Sequence, residues 1–173
     1  LYSGQAAAKK EIDFAKEIKY GLCQAKVLDD DFAYKPKLST YDNAPPTSYG
    51  IVCNTDSSTG SGQHWFAVFI STDLKHPTDT SKPWIRIELF NSAGGGVSNT
   101  KFNNFWNGKA LEISKETGLP CSFDIVSDIQ HQSDETGNCG AYSLFYIYCR
   151  LQREHPDQFN DPKNPITDYG MEK

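Results

Sequence analysis

Long apolar runs, an excess of basic charge and paired cysteines are all missing from this 173-residue chain. No hydrophobic stretch approaches the roughly twenty residues that a membrane-crossing helix needs, so no span is expected. Lysine and arginine total 17 against 22 aspartates and glutamates, a formal charge of -5. Without an overall basic field, nucleic acid is not expected as a main ligand. The five cysteines, Cys23, Cys53, Cys121, Cys139 and Cys149, are odd in number, widely spaced and contain no Cys-x-x-Cys pair. That pattern argues against a disulfide scaffold and a structural zinc site, and it predicts a reducing compartment. No motif calls for a metal or an organic cofactor, and no internal repeat is present. The chain begins at Leu1 with no basic, apolar, small-residue leader pattern, so a fragment or trimmed form without a targeting peptide is expected.

What is present suits a globular protein: 38% hydrophobic and 13% aromatic residues, in a length that most simply forms one domain over residues 1–173. Such a chain buries roughly two-thirds of its unfolded surface. Residues 6 to about 26 place Ile12, Phe14, Ala15, Ile18 and Leu22 among helix formers, which predicts an amphipathic helix. Residues 28–62 are loop-rich, with Pro36, Pro45 and Pro46 and a short strand candidate at 49–53. Residues 64–70 and 84–90 are aromatic and β-branched and predict two strands, the second alternating apolar with charged.

A glycine loop at 94–96 ends the second strand. A helix is then predicted from 102 to about 117, with Phe102, Phe105, Trp106, Ala110 and Ile113 on one stripe and Gly118 ending it. Residues 123–129 are a third strand candidate. After a polar turn, Ala141, Leu144, Phe145, Tyr148 and Leu151 recur at helical spacing and predict a core helix starting at Cys139. From His155 the chain is rich in Pro, Asp and Asn and is expected to form a surface tail over 155–173. The expected class is α+β, a small, mostly antiparallel sheet flanked by helices.

Cys139 stands where an apolar helix begins. Thiol nucleophiles act as thiolates, and unpaired N–H groups at a helix N-terminus favour negative charge there. Free cysteine is also a common core filler, so position alone leaves both readings open. Gly140 leaves room for a substrate carbonyl beside the thiol. Among the four histidines, His64 is the best placed to act as a base, at the start of a strand after a glycine-containing loop, whereas His76, His131 and His155 are expected on the surface. Asn91 falls at the end of the paired strand, where an amide can fix an imidazole tautomer or simply form a turn.

His64-Trp65 on one strand, Phe90-Asn91-Ser92-Ala93-Gly94 at the end of the next, and then Gln132 and Asn138-Cys139-Gly140 at a core helix, resemble the adenovirus-protease and SUMO-protease superfamily of cysteine peptidases. The resemblance covers roughly residues 62–151, the expected catalytic core. It implies an adenain-like fold with His64 as general base, Asn91 as orienting residue, Gln132 as oxyanion-hole donor and Cys139 as nucleophile. Trp65 and Gly140 would line the substrate channel. Gln132 stands seven positions before Cys139, as in the adenovirus enzyme. Asn91 replaces the acidic residue of the adenovirus and SUMO enzymes and is similar to the proteases of the African swine fever virus type.

The resemblance implies cleavage after Gly-Gly or similar small residues, in capsid or core proteins of a maturing DNA virus, with the virion or host cytoplasm as setting. The alternatives are a ubiquitin-like or SUMO-specific deconjugating or precursor-processing protease, and an inactive module that grips Gly-Gly tails. The expected partner is a protein substrate. No membrane partner is expected, and a peptide activator is compatible with the family.

Overall fold

The structure is a computed structural model that describes residues 2–3, 48–54, 64–75, 78, 83–96, 98, 100–133, 137–161, 163 and 166–167. The helix expected over 6–26, and much of the loop-rich segment after it, lie outside the described residues, as do Cys23 and His76.

Five strands form one sheet in the order β1-β2-β3-β4-β5, comprising Tyr2–Ser3, Tyr49–Asn54, Trp65–Lys75, Pro83–Phe90 and Cys121–Ile125. The long central pairings, β2 with β3 and β3 with β4, are antiparallel; β1 and β5 add parallel partners at the two edges. Helix α1, Thr100–Thr117, carries the chain from β4 across to parallel β5, a connection that parallel neighbours require. Helix α2, Cys139–Leu151, follows β5, and a 3₁₀ turn, Pro156–Asn160, closes the described fold.

The two strands richest in apolar residues are covered on both faces, which explains their dense hydrophobic text. Phe66, Val68 and Ile70 of β3 with Ile85, Ile87 and Leu89 of β4 face Trp106, Ala110 and Ile113 of α1. Ala67 and Phe69 of β3 and Phe90 of β4 face Tyr142, Tyr146, Ile147 and Cys149 of α2. The sheet is thus the middle of three layers, with a helix on each side. Gly50 is where α2 approaches β2 most closely, since a Cβ there would run into the Ile147 side chain.

Within the charged alternation of β4, Glu88 is fully buried and bonded to Arg150, Tyr146 and Ser71. Two expectations need correction. The α2 stripe points the other way from that expected. Leu144 is 51% exposed, Tyr148 59% and Leu151 40%, while Tyr142, Ser143, Tyr146, Ile147, Cys149 and Arg150 form the buried side. With aromatic and aliphatic residues nearly all around the helix, spacing alone does not select the core face. Phe105 likewise leaves the α1 core stripe and is half exposed. In the described part of the segment from His155, Phe159 is buried against Phe90, Phe145 and Tyr146, and Asn160 bonds the main chain at Val126 and Asp128.

Candidate active site

The end of β4, the start of β3 and the start of α2 converge. Cys139 is the first residue of α2 and is buried, and its Sγ accepts the Trp65 backbone N–H at 3.4 Å. Asn138 makes no side-chain cap bond, so its amide does not take up the first-turn N–H groups that favour an anion. His64, the residue just before β3, is bonded through Nε2 to Asn91 Oδ1 at 2.7 Å.

The direction of that bond follows from its surroundings. Asn91 Oδ1 also accepts the Ala93 N–H at 3.1 Å, and the amide's other end, Nδ2, donates to the Gly94 carbonyl at 3.3 Å. A backbone N–H can only donate, so the atom it meets is an acceptor. Neutral His64 therefore carries its hydrogen on Nε2, and Nδ1 keeps the lone pair that can take a proton.

Asn91 itself is held by Ser127, whose Oγ accepts the Asn91 N–H at 3.0 Å and donates to Gly95 O at 3.2 Å. The turn after it needs glycine at 94, where φ is +80° and a Cβ would sit 3.1 Å from Gln130 N. Gln132 joins the same turn. Its N–H and that of His131 both donate to the Ser92 carbonyl, at 3.0 and 2.8 Å, and its Oε1 accepts the Ser92 hydroxyl at 2.8 Å.

The structure thus joins His64 to Asn91, the Trp65 main chain to Cys139, and Gln132 to the residue after Asn91. Trp65 is 40% exposed and its ring lies over Gly140. An alanine at 140 would make ordinary contact with that ring, at 3.8 Å, so the glycine is not required by crowding. Burial pushes the thiols of Cys53, Cys121 and Cys149 up to about 12, aided by Asp124 at Cys121 and by Glu154 at Cys149.

His131 is corrected: it is buried among Phe90 and Tyr142, and neither ring nitrogen reaches hydrogen-bond geometry with a partner. Desolvation lowers its pKa, offset in part by the nearby backbone carbonyls of Ile166 and Phe159. Sequence reading missed the Trp65 N–H donor, Ser92 and Ser127. A main-chain donor leaves no side-chain signature, and a serine in a turn is an ordinary turn residue.

No protein-family model matches the chain. Its strand and helix order and its relatives bear out the resemblance to the adenovirus-protease and SUMO-protease superfamily, with the adenain-like cysteine protease fold. The particular relatives are viral. Cysteine protease S273R of African swine fever virus, strain Badajoz 1971 Vero-adapted, is 36% identical over 133 residues, 75% of this chain and 42% of the relative. The protein of isolate Tick/South Africa/Pretoriuskop Pr4/1996, named a SUMO-1 cysteine protease, matches to the same extent. A crystal structure of Se-Met ASFV pS273R protease superposes with a TM-score of 0.55 at 31% identity, covering 73% of this chain and 42% of that one. A second structure of the protease gives 0.53 at 28%, covering 73% and 41%. The chain spans about two-fifths of the length of the curated relatives it matches. Among the described residues no helix is long and apolar enough to cross a membrane, and no group of His, Cys, Asp and Glu is arranged to hold a metal ion.

Proposed function

We propose that this chain is the catalytic core of a cysteine endopeptidase that cleaves protein substrates after Gly-Gly-type sites. The observation that carries the reading is the 2.7 Å bond from His64 Nε2 to Asn91 Oδ1, which leaves Nδ1 as a base on the residue whose neighbour donates to Cys139 Sγ. In this mechanism His64 Nδ1 takes the thiol proton and Cys139 Sγ attacks the scissile carbonyl carbon. Gln132 and the Cys139 backbone N–H donate to the tetrahedral oxygen, and the imidazolium returns its proton to the departing amine. Water, deprotonated by the same imidazole, then releases the acid product from the thioester.

Trp65, exposed beside Gly140, is the channel wall in this reading, where a glycine tail presents no side chain to the indole. The substrate class favoured is the precursor of viral capsid or core proteins, met in the virion or the host cytoplasm. The second reading, a SUMO-type deconjugating protease, is favoured by the name SUMO-1 cysteine protease that several relatives carry.

The test is a cleavage panel of Gly-Gly peptides from viral structural precursors beside intact SUMO and ubiquitin conjugates, each run with Cys139→Ala. Peptide cleavage that the variant loses supports the maturation reading, and cleavage confined to conjugates replaces it with the second. Binding of Gly-Gly tails without turnover would make the chain an inactive binding module. Retained cleavage by Cys139→Ala would overturn the nucleophile.

A further inference from the structure

The turn that follows β4 serves two active-site groups with adjacent residues. Asn91 orients the base, and the residue after it touches the glutamine. Ser92 Oγ donates to Gln132 Oε1 at 2.8 Å in a site where Ser92 is 1% exposed and Gln132 8%. We propose that Ser92 is the positioning residue for the oxyanion-hole glutamine, setting which end of the Gln132 amide meets the reacting carbonyl. The inference rests on the peptidase reading above.

The two ends of a glutamine amide have nearly the same shape and opposite function. Nε2 donates and would stabilise a developing oxyanion, whereas Oε1 in its place would repel it. Holding Oε1 against Ser92 turns Nε2 to the opposite side. Reversing the amide would let Nε2 donate to Ser92 Oγ but would leave the Ser92 hydroxyl hydrogen without its present acceptor in a buried site, and an unmade buried hydrogen bond is costly. The side-chain contact therefore selects the donor-forward amide before substrate arrives.

The main chain is held separately. The Ser92 carbonyl accepts both the His131 and the Gln132 N–H, and the Gln132 carbonyl accepts Gln130 Nε2 at 2.9 Å. Ser92→Ala keeps those backbone bonds and removes only the hydroxyl, so the loop stays while the amide loses its preference.

The test is a cycle of Ser92→Ala, Gln132→Ala and the double variant on a Gly-Gly peptide, with affinity for the matching peptide aldehyde and the iodoacetamide alkylation rate of Cys139 read in parallel. The aldehyde forms a tetrahedral adduct that uses the oxyanion hole, while alkylation does not. Gln132→Ala is expected to lower kcat about 10² to 10³-fold. Ser92→Ala is expected to lower kcat and aldehyde affinity together by about tenfold, the worth of one hydrogen bond, with KM and alkylation unchanged. In the Gln132→Ala background it should cost nothing more.

An equal loss from Ser92→Ala in both backgrounds, or a parallel fall in alkylation, would overturn the proposal and make Ser92 a general support of the turn. Full activity of Ser92→Ala while Gln132→Ala and Cys139→Ala are impaired sinks this inference alone. Cleavage that survives Cys139→Ala sinks the peptidase reading beneath it.

Discussion

Asn91 is the residue on which the site's electrostatics turn. In the proposed mechanism an amide there would orient His64 through one bond without adding charge, so the imidazolium formed during attack would lack a carboxylate partner. The Trp65 N–H and the first turn of α2 meet the Cys139 sulfur from the other side. Asn91→Ala frees the ring to rotate, and a misplaced base is expected to lower kcat by about 10²-fold. Steady-state kinetics check this; a loss confined to KM would count against the orienting role. Three of the described cysteines are held in the thiol form by burial. With Cys53, Cys121 and Cys149 held up to about 12, almost none of their thiol is ionised at pH 8, so iodoacetamide should modify Cys139 before any of these three. Peptide mapping after brief labelling reads the order directly. At this scale the sequence singled out His64, Asn91 and Cys139 as candidates because each is a distinctive residue type at an element boundary, and Gln132 through the family resemblance. Ser92 was not, because nothing about a turn serine announces a partner forty positions away.

Among elements, the junction between β4 and α2 governs both stability and geometry. Glu88 is fully buried and accepts from Arg150 Nε at 2.8 Å and Nη2 at 3.1 Å, from Tyr146 Oη at 2.7 Å and from Ser71 Oγ at 3.0 Å. The strand that ends just before Asn91 is thereby tied to the helix that begins at Cys139. Arg150→Met would leave that carboxylate buried without its counter-charge, at a cost of about 3–5 kcal/mol. Thermal denaturation should show Tm falling by roughly 10 °C or more. Glu88→Gln/Arg150→Met should recover part of the loss, which simple loss of packing would not. The faces of α2 make a second test: Ile147→Ala should cost about 2–5 kcal/mol, while Leu144→Ala, half exposed, should stay within about 0.5 kcal/mol. Equal losses would restore the sequence-based assignment of the core face. That assignment failed because the α2 text is apolar on almost every side, and the buried face was decided by Phe69, Phe90 and Phe159 waiting on the sheet side.

For the whole molecule, acid sensitivity follows from His131. Burial lowers its pKa below the ordinary 6.5, so between the two values the unfolded chain binds a proton that the folded chain refuses. The stability held by the neutral ring is therefore present above about pH 6.5 and is lost as pH falls below it. Tm measured from pH 7.5 to 5.5 should decline, and less steeply in His131→Phe, whose ring keeps the contacts with Phe90 and Tyr142 without a titrating nitrogen. Identical slopes in the two proteins would rule His131 out. Because His131 precedes Gln132 and its carbonyl accepts the Tyr142 hydroxyl at 3.2 Å, that loss would fall beside the candidate site.

The chain's order of residue types determined much by itself. Dense β-branched and aromatic runs made β3 and β4, a glycine loop stopped β4, and helical spacing made α1 and α2, because those preferences act over a few neighbouring residues. The ordered His64, Asn91, Gln132 and Cys139 likewise carried the family resemblance. Tertiary structure alone decided which side of α2 is core, that Glu88 and Arg150 meet across 62 positions, that His131 is buried, and that Ser92 grips Gln132. Each of those depends on which surfaces the packed layers bring within a few ångströms, where desolvation makes a single partner decisive.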